Sequence, residues 1–141
     1  MCAQPSPDGV ATGLHHGRIK HWLHFAQLME PLRERGLEPV AMPPAAEDEA
    51  TRTALPGATI LPPASLGTYA AMASRAAVVV ANDSGISHVA AAVGARQVTI
   101  FGVTEPDRTR PWNPRAVGAG RFGAWPAPAE VLAAIDRALI L

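Results

Sequence analysis

The chain has 141 residues and a mass of 14.7 kDa, 48% of them hydrophobic and 17% charged, which suits one compact domain with room for a single core. Twelve basic residues balance twelve acidic ones, so nothing in the charge points to a nucleic-acid surface or a strongly anionic membrane. The sole cysteine, Cys2, excludes a disulfide framework and a cysteine-based zinc site and agrees with a reducing, cytoplasmic location.

The opening MCAQPSPDG lacks a basic segment followed by an apolar core, and no apolar run approaches the roughly 20 residues of a membrane span. Neither a visible export signal nor a spanning helix is expected. Residues 9–14 read as a weak first strand running into the polar stretch His15-His16-Gly17-Arg18. A helix is predicted over 20–35, because Trp22, Phe25, Met29 and Leu32 recur at helical spacing before Gly36, with Pro31 expected to kink or weaken it. Residues 37–42 form a short strand closed by Pro43-Pro44, and Glu47-Asp48-Glu49 opens a helix whose positive end suits acids. Residues 58–61 are a third strand. Ser65 caps a helix to about residue 74, with Leu66, Tyr69, Ala70 and Ala73 as its buried face.

Residues 76–81 are an unbroken, Val-rich apolar run, as in a parallel strand covered on both faces, and residues 98–101 read the same way. Between them Asn82-Asp83-Ser84-Gly85 ends the strand and opens a helix carrying His88. After Phe101 the segment GVTEPDRTRPWNP reads as an ordered loop without helix or strand. Pro128 starts a last helix with Val131, Leu132, Ile135, Ala138 and Leu139 on its apolar stripe. Strands alternating with helices predict an α/β fold: a Rossmann-like parallel sheet with right-handed crossovers and helices on both faces.

In such sheets ligands sit at the carboxyl ends of strands, where free helix amides favour anions. A phosphate or diphosphate is the natural guest of the turn at 82–85. Gly85 permits close backbone approach, Ser84 offers a hydroxyl, and the amides face the ligand. Asp83 organises the turn or meets a sugar hydroxyl, since two anions in contact repel. The plain alternative is that Asp83 or Ser84 only caps the helix. His88, near one helical turn beyond Gly85, can donate to the same pocket or simply pack. His15, His16, His21 and His24 lie close in sequence, but no carboxylate or cysteine completes a metal spacing, so no metal is expected and His21 and His24 flank the helix surface.

The segments GRIKHWLHFAQLMEPLRERG, ANDSGISHVAAAVGARQVTIFG and TEPDRTRPWNP together resemble the C-terminal domain of family 9 glycosyltransferases, the bacterial heptosyltransferases of lipopolysaccharide core assembly. The most specific part is Asp-Ser-Gly-x-x-His followed by small residues, a Gly, an apolar strand and Phe-Gly; Lys-x-Trp supports it independently. The resemblance implies a GT-B fold of two Rossmann-like domains facing across a cleft. Residues 1–141 would be the C-terminal, donor-binding domain, and an N-terminal acceptor domain would be absent from them.

The resemblance also implies roles. Lys20, the single lysine, neutralises the donor diphosphate as the glycosidic bond breaks. Asp83, Ser84, Gly85 and His88 form the phosphate turn. Glu47, with Glu49 nearly as good a candidate, accepts hydrogen bonds from the nucleotide ribose; an acidic first helical turn is the bland alternative. Thr104 adds a hydroxyl at the strand's carboxyl end, and Asp107, Arg108 and Arg110 steady the loop or face the other domain. His15 and His16 stand where relatives carry small hydroxyl residues, as donor contacts that depart from the pattern.

The reaction implied is transfer of heptose from ADP-heptose to a sugar of a lipid-linked core oligosaccharide, with no cofactor or metal and with the general base on the absent domain. The isolated chain would bind nucleotide weakly without turnover, and the full-length enzyme would be cytoplasmic and peripheral at the inner membrane. A stand-alone nucleotide-binding module is the second possibility. A nucleotide-sugar 2-epimerase relative is the third, disfavoured by Ile86-Ser87-His88 where epimerases carry acids.

Overall fold

The computed structural model describes residues 14–15, 18–19 and 21–141. Two short strands, β1 (Leu14–His15) and β2 (Arg18–Ile19), pair antiparallel. Only residues 16–17 join them, too few for the crossover that a parallel pair needs. The first strand expected at 9–14 lies outside the described residues except for Leu14.

The remaining strands are parallel. β3 (Val40–Ala41) pairs with β4 (Thr59–Ile60), while β5 (Val79–Asn82), β6 (Gln97–Ile100) and β7 (Ala116–Ala119) form a second sheet in that order. Helices α1 (Met29–Glu34), α2 (Asp48–Ala54), α3 (Leu66–Arg75), α4 (Gly85–Ala92), α5 (Pro106–Thr109) and α6 (Pro128–Leu139) connect and cover them. The predicted α/β class with parallel strands is what the structure has. No helix among the described residues is long and apolar enough to cross a membrane.

Alternation explains why residues 78–81, leading into and along β5, are all apolar. Val78 and Val80 enter one core with Trp22, Leu28, Leu32, Val131 and Ile135, from α1, α6 and the turn before α1. Val79 enters the opposite core with Tyr69, Ala73 and Ala90, from α3 and α4. Both faces are therefore covered, and a polar residue would find no water on either. β6 divides differently: Val98 and Ile100 join the first core, while buried Gln97 turns to α4, donating to the Ser87 carbonyl at 3.2 Å and to the Thr99 hydroxyl at 3.1 Å.

Several elements differ from expectation. The helix predicted over 20–35 is a 3₁₀ turn, Phe25–Leu28, continued by α1. Pro31 sits in the first turn of α1, where an α-helix has no partner for the missing N–H, so it marks the start of α geometry rather than a kink. His21 and His24 precede these turns instead of riding on a helix. A 3₁₀ turn, Ala45–Glu47, likewise precedes α2. Ser65 caps α3 as predicted, accepting from the Thr68 amide at 3.1 Å, but Leu66 at the first helical position is 60% exposed. The loop after Phe101 contains α5, started by Pro106, and β7 lies in a stretch where no strand was predicted.

Two close approaches follow the ends of β6 and β7. A Cβ on Gly102 would overlap the Trp125 ring, and one on Gly120 would overlap the Phe101 carbonyl; Gly120 also holds φ at +79°. Arg35, just past α1, clamps α6 through Asp136 with two hydrogen bonds at 2.7 Å and 3.0 Å. This pairing holds the Asp136 carboxyl below its ordinary value of 3.8. Its stabilisation is thus present above that value and lost as pH falls through the lowered one. Asp136→Asn should cost about 0.5–1 kcal/mol in urea unfolding at neutral pH, an exposed bidentate pair being worth no more, and the gap from wild type should close below about pH 3.8.

Candidate functional site

The carboxyl end of β5 collects four distant parts of the chain. Asn82, the last strand residue, accepts the Trp22 backbone amide on Oδ1 at 3.1 Å. Trp22 is itself locked by donating from Nε1 to the Pro126 carbonyl at 2.8 Å and by edge contact with Phe25 at 5.2 Å. The residues after Lys20 are thereby tied to the residue before Asp83. His21 precedes this anchor; its Nδ1 is buried without a hydrogen-bond partner among the described residues, and burial lowers its pKa, favouring the neutral imidazole.

Asp83 follows with its amide bonded to the Ile100 carbonyl at 3.0 Å. Its side chain is only 6% exposed, and Oδ2 accepts the Thr104 hydroxyl at 2.6 Å and the Thr109 hydroxyl at 2.5 Å. The carboxylate therefore faces backward into the protein and fastens the loop that carries α5 to the end of β5. A turn organiser is what these contacts make it. α4 opens with a capping box, the capping role that the sequence offered for Ser84: the Ser84 side chain takes the Ser87 backbone amide, while Ser87 Oγ donates to the Ser84 carbonyl at 2.7 Å and accepts its amide at 3.4 Å.

The other face of the corner is open. Ser84 and Gly85 are exposed, and a Cβ on Gly85 would meet nothing within 4 Å. Gly85 lies outside the positive-φ set, so neither its backbone conformation nor packing among the described residues calls for glycine here. His88, with its side chain 52% exposed, stands one turn along α4 with Nε2 3.9 Å from Asp83 Oδ1, too far for a hydrogen bond and free to reach outward.

Asp83, Ser84, Gly85, His88 and Thr104 are thus brought together. Glu47 lies on the separate segment after β3 and is 5% exposed, whereas Glu49 is exposed on α2. Burial distinguishes the two acids that the sequence left nearly equal. Lys20 and His16 lie outside the described residues; His15 lies in β1, with only its backbone described. Among the described residues no cluster of three or more His, Cys, Asp or Glu side chains could hold a metal ion. An apolar cavity of about 570 Å³ lies at the other end of the sheet, against Val40 and Val78, away from this corner.

Three contributors escaped sequence reasoning. Thr109 shares the Asp83 carboxylate, and its only signal was a second threonine placed around Pro106. Asn82 and Trp22 meet across 60 positions, which no local pattern reports. Thr104→Val and Thr109→Val should each cost about 1.5–3 kcal/mol, the range for hydrogen bonds to a charged group, and the double variant more than their sum because the carboxylate is left unpaired. Urea unfolding of the three variants measures this.

The sequence model of glycosyltransferase family 9 (heptosyltransferase) matches residues 11–132. Lipooligosaccharide heptosyltransferase 2 of Haemophilus influenzae is 32% identical over 120 residues, covering 77% of this chain and 34% of that protein. The structure of Escherichia coli ADP-heptose lipopolysaccharide heptosyltransferase II superposes with a TM-score of 0.74 at 24% identity, covering 86% of this chain and 42% of that one. Escherichia coli heptosyltransferase WaaC with ADP superposes at 0.67 and 23% identity, over 90% of this chain and 40% of that one. The matched region spans about a third of the curated relative's length.

Proposed function

Because this chain belongs to glycosyltransferase family 9, the heptosyltransferase family, we propose that it forms the donor-binding part of a glycosyltransferase. It holds the diphosphate of a nucleotide-sugar, ADP-heptose, for transfer to a sugar of the lipopolysaccharide core. The observation that carries this is the open face of the Asp83-Ser84-Gly85 corner. Behind it every group is fastened; in front stand exposed backbone, a hydroxyl and an imidazole. ADP in the solved relative WaaC supports the choice of nucleotide.

The chemistry assigned to the corner is leaving-group stabilisation. An acceptor hydroxyl attacks the anomeric carbon, the bond from that carbon to the diphosphate oxygen breaks, and ADP departs with the extra negative charge. The first amides of α4, the Ser84 hydroxyl, His88 and Lys20 meet that charge. Glu47 accepts hydrogen bonds from the ribose, and Thr104 acts through Asp83 rather than touching the donor. The acceptor hydroxyl needs a general base, which we assign to an N-terminal half outside these residues. The full enzyme would work in the cytoplasm, at the inner-membrane surface where a lipid-linked acceptor is found.

The 141-residue chain should bind ADP in calorimetry in preference to UDP and GDP and show no transferase turnover alone. Gly85→Ala separates fold from function. The variant should keep or gain up to about 1 kcal/mol of stability, as alanine replaces glycine at a helix position with open space, while ADP affinity falls tenfold or more. His88→Ala should weaken ADP without altering the unfolding midpoint. Failure of all three nucleotides to bind would sink the donor role and leave a structural or degenerate module; turnover by the chain alone would refute the assignment of the base.

A further inference from the structure

Residue 97 carries a polar group where folding would accept an apolar one. Val98 and Ile100, further along β6, are fully buried, and Gln97 is itself only 1% exposed. A buried amide is unfavourable unless its hydrogen bonds are made, and even then valine or leucine would serve the strand as well. The bonds Gln97 makes are specific in direction.

Their polarity follows from carbonyls that can only accept. The Ala95 carbonyl requires Asn113 to turn Nδ2 toward it, at 2.7 Å, and the same nitrogen donates to Gln97 Oε1 at 3.2 Å. With Oε1 committed to the loop before β7, Nε2 faces α4. It donates to the Ser87 carbonyl at 3.2 Å and to the Thr99 hydroxyl at 3.1 Å. Ser87, fully buried, passes the constraint on: its Oγ donates to the Ser84 carbonyl at 2.7 Å, and Ser84 and Gly85 are the exposed groups of the donor corner.

Helix α4, Gly-Ile-Ser-His-Val-Ala-Ala-Ala, has little bulk with which to set its rotation about its own axis. Its buried residues are Ser87 and Ala90, and Ile86 and Val89 are only partly covered. A directional hydrogen bond to a carbonyl of the first turn supplies what packing of small side chains does not. One loop thus holds the corner at two points: Thr104 and Thr109 fasten Asp83, and Asn113 acts through Gln97 on Ser87.

We propose that Gln97 is a positioning residue for the donor corner: its amide, oriented by Asn113, fixes the first turn of α4 so that the Ser84 and Gly85 amides stay aimed at the diphosphate. This rests on the donor role proposed above. Gln97 touches no donor atom; it acts through Ser87.

The test compares variants of the 141-residue chain under conditions where each is folded, reading ADP affinity by calorimetry and the Ser84 and Gly85 backbone amide resonances by NMR. Gln97→Met keeps the bulk and removes every hydrogen bond of the amide. Gln97→Glu, as the carboxylate, still accepts from Asn113 and Thr99 but cannot donate to the Ser87 carbonyl. Thr99→Val removes a bond of the same buried network while leaving the one to Ser87 in place. All should lower the urea midpoint. Both Gln97 variants should shift the two amide resonances and weaken ADP about tenfold, whereas Thr99→Val should leave the resonances in place and ADP affinity within about twofold. A merely structural role predicts otherwise: unchanged ADP affinity in the folded Gln97 variants, or an equal loss in Thr99→Val, would overturn the proposal. Should Gln97→Glu fail to fold, Gln97→Met against Thr99→Val carries the same comparison. A wild-type chain that binds no ADP removes the donor role and this inference with it; normal wild-type binding that the Gln97 variants retain removes this inference alone.

Discussion

A carboxylate shut away from water sets the architecture of this corner. Burying an anion is costly unless hydrogen bonds replace its hydration, and Asp83 receives two short ones from hydroxyls that arrive on one loop. That loop must therefore return to the end of β5 whichever ligand is present. The neighbouring Asn82 does the same work in another direction, taking the Trp22 amide and with it the entry into α1. Two consecutive residues, pointing opposite ways as a strand dictates, thus gather segments from across the sequence. Using hydroxyl donors rather than a buried cation leaves the chain's positive charges available elsewhere.

How much of this was legible followed from how local each cause is. The apolar run before Asn82, the Ser65 cap and the Pro128 start of α6 are written in neighbouring residues, and all appear in the structure. β7 was not legible, because Ala116-Val117-Gly118-Ala119 has neither a bulky run nor a clear alternation. Its place comes from tertiary fit: Gly118 lies against Phe101, and Gly120 turns under the Phe101 carbonyl. The start of α1 was misjudged for a similar reason. Apolar spacing cannot tell a 3₁₀ turn from an α-turn over four residues, and the deciding contact, Trp22 with Asn82 and Pro126, is remote in sequence.

Burial also divided residues that pattern had grouped. Glu47 and Glu49 stood together as acids of one helical start, yet one is enclosed and the other faces water. Leu66 shares helical spacing with Tyr69 and Ala73 but sits at the first position of α3 and stays exposed. Periodicity assigns a face; only the neighbouring elements determine how far along the helix that face is covered.

The glycines separate the demands of folding from those of a guest. At Gly102 and Gly120 a side chain would collide with Trp125 or with backbone, so the fold itself requires their small size. Gly85 has ordinary φ and, among the described residues, empty space ahead of it, and glycine at a helix start lowers stability relative to alanine. A residue that folding does not need, placed where helix amides emerge, makes sense if something must come closer than a Cβ would allow. The amides alone present about half a unit of positive charge, and Asp83 lies just behind them. A diphosphate seated there would call for further partners, which is the electrostatic reason the proposed donor role includes Lys20 as a cation and the exposed His88 ring as a hydrogen-bond donor.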